Sequence, residues 1–534
     1  MRASLFLLAA LLLCAQGVLA DEAGPYPTEP DRTPAPEFDF IGYYLIRAER
    51  TNVSPENTLF AGQVVGRLFG ENTTQTSDST ASFFEQRFMP MITYTPHVLN
   101  GWAKMRMSFE IDWTWGDKNY TTGGNVGGAY AADAVNIQTQ NVFAEIRPQQ
   151  NLIINAGLLR LYDNVRVPYY TGTNELTYKG YRLAFFGSDA TGVGVHYSPY
   201  SYLHFKVGGY QLYENNTEQD DDVQLYEVAS EYDLDIVNTV GLSLYYLRDH
   251  ANGEGGIVGY GEGLNSALAG YNGVFRFNFI NEAYKADVFW LGTNFFGDPF
   301  HQQQRLGYNG FVMLNTGTVS TPSRDVNIMG LAGNLRLGYQ YGRTANDEIS
   351  LDAIYTSGDE DGIEDDTYNG VLTGNNWTSP GAVFFSHGLY LLMAHGTVVN
   401  RFTGAVIDIQ NMGYGLSVAS LGASYDIVPN KLRLRLGSGI GFANAAPTYT
   451  YIDDANVPHT WEGGKMMGTE LNLNLRWSMK VYLDLELHAA YLALGDFYET
   501  PATNGWDDDD PIALAGERPD NPWTVFTTLR WIMF

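Results

Sequence analysis

Residues 102–115 read WAKMRMSFEIDWTW. Ala103, Met105, Met107, Phe109, Ile111, Trp113 and Trp115 fall at one parity, and Lys104, Arg106, Ser108, Glu110, Asp112 and Thr114 at the other. Side chains of a strand alternate between two faces, so this stretch is a β-strand with one apolar and one polar face. It runs well beyond the five or six residues usual for a globular strand. It matches instead the roughly 9–11 residues that a tilted strand needs to cross a bilayer. The tryptophans at its end suit a membrane–water boundary, where amphipathic rings collect.

The same period recurs outward from this segment. Leu203, Phe205 and Val207 alternate with His204, Lys206 and Gly208, Phe275 and Phe277 flank Arg276, and Leu432, Leu434 and Leu436 interleave with Arg433 and Arg435. Leu471, Leu473, Leu475 and Trp477 alternate with Asn472, Asn474, Arg476 and Ser478, and a link at Met479–Lys480 leads straight into Val481, Leu483 and Leu485. Tight links are expected at 148–151, 199–201, 279–282, 342–347, 428–431 and 479. Long polar links are expected at 116–134, 164–179, 250–269, 297–325, 358–384, 444–464 and 495–521. Short turns on one rim and long loops on the other are the winding of an outer-membrane barrel, with the short side periplasmic. The expected fold is therefore all-β: a transmembrane antiparallel up-and-down β-barrel of about 16–18 strands. Residues 38–50 and 59–70 compete for the first strand, and 388–410 reads as loop or as an extra hairpin.

The ends agree with export. Met1–Ala20 carries Arg2, an apolar run over 5–13 and a Val18-Leu19-Ala20 cleavage signal, so residues 1–20 read as a signal peptide. Residues 21–37, with Pro25, Pro27, Pro30, Pro34 and Pro36, read as a periplasmic leader, and 38–534 as the barrel. Cys14 is the single cysteine and leaves with the signal, which excludes a disulfide scaffold and thiol chemistry. The last strand ends in an aromatic residue, and Phe526, Ile532 and Phe534 resemble the terminal signal read by the barrel-assembly machinery.

A net charge of -29 argues against nucleic acid as a partner. Outer-membrane lipid, lipopolysaccharide and a transported solute are the expected ones. Catalytic motifs are absent: there is no HExxH, and Gly259-Tyr-Gly261-Glu-Gly263 precedes no helix. His204 and His488 are expected to face inward as isolated polar residues. Lys104, Arg106, Lys206, Arg276, Lys285, Arg336, Arg433, Arg435 and Arg476 are candidate pore-lining cations. They outnumber the inward acids read from the alternation, Glu110, Asp112, Asp287, Asp352, Asp484 and Glu486. A basic lumen favours anions, whereas mutually paired charges would merely brace the wall. Asp359, Asp361, Glu364, Asp365 and Asp366, with Gly362 among them, form a candidate Ca²⁺ loop; no other cofactor is expected.

Three segments resemble the alginate-export family. Residues 82–96 (SFFEQRFMPMITYTP) are similar to its early strand and periplasmic turn, and 351–366 (LDAIYTSGDEDGIEDD) to its strand entering a Ser-Gly-Asp acidic loop. Residues 155–166 (NAGLLRLYDNVR) resemble a strand with a Gly-Arg-Gln step, but here Leu158 and Leu159 follow Gly157, which removes one pore arginine. The resemblance implies an 18-stranded monomeric channel with a basic lumen. The functional expectation is a passive outer-membrane channel for hydrophilic, anionic solutes, with long loops folding inward as a plug. A rim-active membrane enzyme and a non-conducting adhesion or structural barrel are the alternatives.

Overall fold

The computed structural model describes residues 36–55, 64–67, 74–115, 136–160, 165, 189–214, 222–251, 282–372, 388–393, 401–406, 409–452, 456–500 and 519–533. The expected signal segment, most of the expected leader, Arg276, Gly259–Gly263 and Phe534 lie outside them.

Eighteen strands close one ring. The first six are β1 (Phe38–Pro55), β2 (Thr74–Tyr94), β3 (Ala103–Trp115), β4 (Asn136–Gln149), β5 (Leu152–Arg160) and β6 (Asp189–Tyr200). The next six are β7 (Leu203–Tyr213), β8 (Val223–Asp233), β9 (Asn238–Asp249), β10 (Lys285–Gly297), β11 (Leu306–Ser320) and β12 (Asp325–Gln340). The last six are β13 (Glu348–Thr356), β14 (Leu416–Val428), β15 (Leu432–Phe442), β16 (Met466–Lys480), β17 (Leu483–Leu494) and β18 (Trp523–Met533). Each pairs antiparallel with its sequence neighbours, and β1 pairs with both β2 and β18, so no edge is left open. In a bilayer that closure matters, because an unpaired backbone edge in hydrocarbon costs several kcal/mol per group.

The links sort by rim. Residues 150–151, 201–202, 234–237, 429–431 and 481–482 are tight turns at the periplasmic end. Asn430 takes a left-handed φ of 54° in one of them, a conformation that asparagine tolerates. The opposite rim carries the long connections, of which 357–415 is the longest. One expected loop was a misreading: 297–325 contains the whole of β11, flanked by an eight-residue periplasmic link and the four-residue outer turn 321–324. The first-strand ambiguity resolves to β1, while Val64–Arg67 forms a short parallel pair with Arg401–Gly404.

The outward face is apolar. Leu242, Leu291, Val312, Leu421 and Leu471 stand exposed along the wall, and Trp102, Tyr200, Tyr339, Tyr425, Trp477 and Trp531 form a ring near the short turns. Tyr355, Phe442 and Tyr491 lie toward the other rim, giving the two aromatic girdles of a membrane barrel.

Candidate functional site

The inner wall changes character along its height. Near the short turns it carries ion pairs. Arg106 Nε lies 2.8 Å from Glu145 Oε2, Arg147 also meets Glu145, and Lys206 Nζ lies 2.8 Å from Glu227 Oε1. Arg336 bridges Glu348 at 2.8 Å and Asp352 at 3.2 Å. Arg476 and Arg530 both donate to Asp484, at 2.7 and 2.8 Å, and Arg530 also reaches Glu486 at 3.5 Å. Cross-strand register dictates this assembly: Asp484 is opposite Arg530, Glu486 opposite Arg476, and Arg433 opposite Arg476. Arg47 of β1 pairs with Glu49 at 2.6 Å and caps the Phe526 ring at 4.0 Å, while His488 stacks on the same Phe526 ring with centroids 4.3 Å apart.

Toward the long-loop rim the same inner faces turn apolar. Leu225, Leu247, Val288, Trp290, Phe311, Met313, Val326, Ile328 and Leu492 are buried there. What covers them is the described part of the 357–415 connection, whose Tyr368, Val371, Leu372 and Leu389–Met393 belong to the same apolar cluster. Polar anchors fix its path. Trp290 Nε1 donates to the Leu372 carbonyl at 2.8 Å, and the Leu372 N–H donates to Asn315 Oδ1 at 2.9 Å. The buried Glu470 carboxylate accepts the N–H groups of Tyr390, Leu391 and Leu392 at 2.8, 2.9 and 2.7 Å. Three donors on one carboxylate satisfy a turn of backbone that would otherwise be stranded away from water. Arg435 Nη1 donates to the Gly388 carbonyl at 3.1 Å, and Gly388 has a φ of +85°. A Cβ there would lie 2.0 Å from the guanidinium, so only glycine admits this contact. Tyr390, edge-on to both His488 and Phe526, marks the junction between the two halves.

The sequence-derived candidates distribute as follows. Lys104, Arg106, Lys206, Arg336, Arg433, Arg435 and Arg476 occupy inner-face register positions, as do Glu110 and Asp112, whose side chains lie outside the described set. Lys285 and Asp287 were misassigned. Ala286, Val288 and Trp290 are the buried inner residues of β10, which turns Lys285 and Asp287 outward. The basic excess also disappears, because Glu49, Glu85, Glu145, Glu227, Glu231, Glu348 and Glu470 share the inner face. All but Glu470 sit in strands without a clean alternation, and Glu470 directly precedes the clean run of β16.

The acidic loop does not gather into a chelate. Asp359 accepts the N–H groups of Asp361 and Asn369, Asp365 that of Thr367, and Asp366 pairs with Arg324 at 3.3 Å. Among the described residues, no three His, Cys, Asp or Glu side chains come together as a metal site. These carboxylates act as turn acceptors instead. Phe526 and Ile532 take inner-face positions in β18, where Phe526 is buried. One Ser–His–Asp line is present: Ser198 Oγ is 2.8 Å from His204 Nδ1, and His204 Nε2 is 3.6 Å from Asp233. Asp233 is engaged by the Thr239 hydroxyl at 2.7 Å, and its distance from His204 exceeds a hydrogen bond, so the line ties β6 and β7 to β8 at the rim.

A closed 18-stranded barrel with an apolar outside, a charged inner belt and a loop folded into its lumen defines a class: the outer-membrane channels. The particular likeness is to alginate export, whose family model matches residues 186–394, from the approach to β6 to a point past the middle of the 357–415 connection. No curated protein matches the chain in sequence. Among solved structures, Pseudomonas aeruginosa OccK11 (OpdR) aligns with a TM-score of 0.44 at 12% identity, covering 93% of this chain and 96% of that one. P. aeruginosa OpdK with vanillate aligns at 0.43 and 10%, covering 93% and 98%. A BenF-like porin from Pseudomonas fluorescens Pf-5 aligns at 0.43 and 9%, covering 93% and 99%.

Proposed function

We propose that this channel passes small hydrophilic solutes by passive diffusion, with the 357–415 loop setting the constriction and the ion-paired belt orienting charged groups at the periplasmic exit. The observation that carries the reading is the pairing of a polar, charged lower wall with a loop anchored by Glu470, Trp290 and Asn315. Paired charges leave weak net selectivity, and a solute carboxylate competes with Asp484 and Glu486 for the same guanidinium groups. The alginate-export likeness makes an anionic saccharide the solute class to try first.

Planar-bilayer recording tests this directly. Conductance that short uronic-acid oligomers block more strongly than neutral oligosaccharides of equal length supports both parts. A silent bilayer sinks the channel, as a rim-active enzyme or a non-conducting barrel would require. Equal block by both sugars sinks the anionic solute alone.

A further inference from the structure

Links 150–151, 298–305, 342–347 and 429–431 of the short-turn rim are polar. Three others end in aliphatic tips. Val98 at the β2–β3 turn, Ile236 at the β8–β9 turn and Val481 at the β16–β17 turn are exposed by 88%, 88% and 78%, more than any other large apolar residue among the described ones. Apolar surface gains by leaving water, so three such tips call for a covering surface. Each tip also hangs from the aromatic girdle. The Trp102 N–H donates to the Leu99 carbonyl at 2.8 Å, closing the turn that carries Val98. Tyr232 meets Tyr202 edge-on with centroids 5.5 Å apart, and Ile236 follows four residues later. Val481 comes four residues after Trp477 and two before Leu483, which pairs with Trp531. At about 3.4 Å per residue and a tilt of roughly 40°, four residues lower a tip by at most about 10 Å, and by less where the chain turns back.

We infer that Val98, Ile236 and Val481 are seated in the headgroup layer of the inner, phospholipid leaflet and pin the short-turn rim to it at three points. The girdle rings already lie in that layer, which is on the order of 5–7 Å deep on each side of the hydrocarbon, so the tips continue an interface that the barrel has. Their distribution favours lipid over protein. The tips follow β2, β8 and β16, so four to eight strands separate them around the ring, on the order of 20–40 Å at about 4.8 Å per strand. They form no single patch for a protein to grip, whereas the leaflet surrounds the barrel and meets all three. The nearby charges are compatible with phosphate. Lys431 and Lys480 are exposed in adjoining turns beside Val481, joined by the Ser478 N–H donated to the Lys431 carbonyl at 2.8 Å. Asp235, next to Ile236, turns its carboxylate back on the turn, accepting the N–H groups of Val237 and Asn238 at 2.9 Å and the Asn238 amide at 2.6 Å. Glu37, near Val98, likewise accepts the His97 N–H at 2.6 Å. The seating is independent of what passes through the lumen.

The test places one fluorescent label at a time. Cys14 is the only cysteine, so Val98→Cys, Ile236→Cys and Val481→Cys on a Cys14→Ser background each offer a single thiol, with Gln150→Cys and Gln303→Cys as polar-link controls. The barrels are reconstituted in phosphatidylethanolamine–phosphatidylglycerol vesicles and quenched either by a lipid carrying a headgroup nitroxide or by aqueous iodide. The ratio of lipid to iodide quenching at the three tips is expected to be about threefold or more above that at the controls, as for side chains seated about 5–10 Å into the headgroup boundary. Should a labelled variant fail the heat-shift assay for a closed barrel, Leu99→Cys and Leu234→Cys, exposed in two of the same turns, carry the label instead. Equal ratios at tips and controls would overturn the inference. So would tips that are open to iodide in vesicles and shielded from it only in whole outer membranes, since a periplasmic protein would then be the cover.

Discussion

The two halves of the inner wall are made by the same strands and obey different chemistry. Toward the short turns, β13 to β18 present Asp352, Arg476, Asp484, Glu486 and Arg530, each held by cross-strand charges. Toward the long loops, β8 to β14 present Leu225, Leu247, Val288, Phe311, Ile328 and Leu416, each held by apolar contact with the loop inside. The difference shows how one barrel can both hold a loop and keep water. Apolar wall retains the loop without directional bonds, and Glu470 and Asn315 add the few that fix its register. In the charged half the described residues mostly satisfy one another, joined by the Val165 carbonyl of the β5–β6 connection, which lies 2.9 Å from His196 Nδ1.

The largest expected effect comes from carrying the chemistry of one half into the other. Leu392 is fully buried in the apolar seat. Leu392→Asp should cost the loop more than about 3 kcal/mol, the scale of an unpaired buried charge, and raise single-channel conductance several-fold. Unaltered conductance would show that the seat does not retain the loop. Next comes Glu470→Ala, which strands three N–H groups; with about 1–3 kcal/mol for each unsatisfied group, partial release should appear as frequent transitions between conductance levels. The ring itself should keep its melting temperature, because the Glu470 side chain bonds the loop and Asn472 of its own strand, and its backbone pairing survives the change.

Smaller effects belong to the charged half. Arg476→Ala leaves Arg530 on Asp484, so unfolding in urea should shift by about 1 kcal/mol or less, and the reversal potential should move toward cations. A shift toward anions would place Arg476 off the solute path. The smallest effect lies at the short-turn rim. Asp347 accepts N–H groups from Asp426, Arg343 and Thr344, and these hold its carboxyl below its ordinary range although burial pushes the other way. A depressed folded-state value means stability that is present above the unfolded value and lost as pH falls through the folded one. Asp347→Asn should therefore be less stable than the parent at neutral pH, by about 1 kcal/mol, with the gap closing below the usual carboxylate range. Urea unfolding at neutral and acid pH measures it; a gap constant with pH would mean that charge is not what the turn uses.

How much could be read from sequence follows the same division. Where the lumen is polar the alternation is clean, and β3, β15, β16 and β17 were visible at once. Where the lumen is filled by the loop, both faces of a strand are apolar and the period fades. In β11 the inner Phe311, Met313 and Val319 alternate with the outer Val312 and Leu314, so 297–325 read as a long polar link. In β10 the inner Trp290 and outer Phe289 and Leu291 blur in the same way, and Lys285 was placed on the wrong side for that reason. Arg435 and Arg476 stood in clean alternation, but the partners of Arg435, Gly388 and Asn472, and that of Arg476, Asp484, come from other strands or from the loop. Glu470 had no local signal at all, since its role is set by a segment 78–80 residues away.

The closing seam has its own consequence for biogenesis. β1 hydrogen-bonds to β18, and Thr51 reaches the Trp523 carbonyl across 472 residues of chain. Synthesis delivers β1 first and β18 last, so the opening strand spends the whole of translation and export without one of its two partners. Its free edge must be shielded from other chains throughout that interval. A chain that stalls before residue 523 would leave two open strands, β1 and β17, and so a template for aggregation. Quality control of this protein thus has a single late checkpoint, reached only when the seam zips.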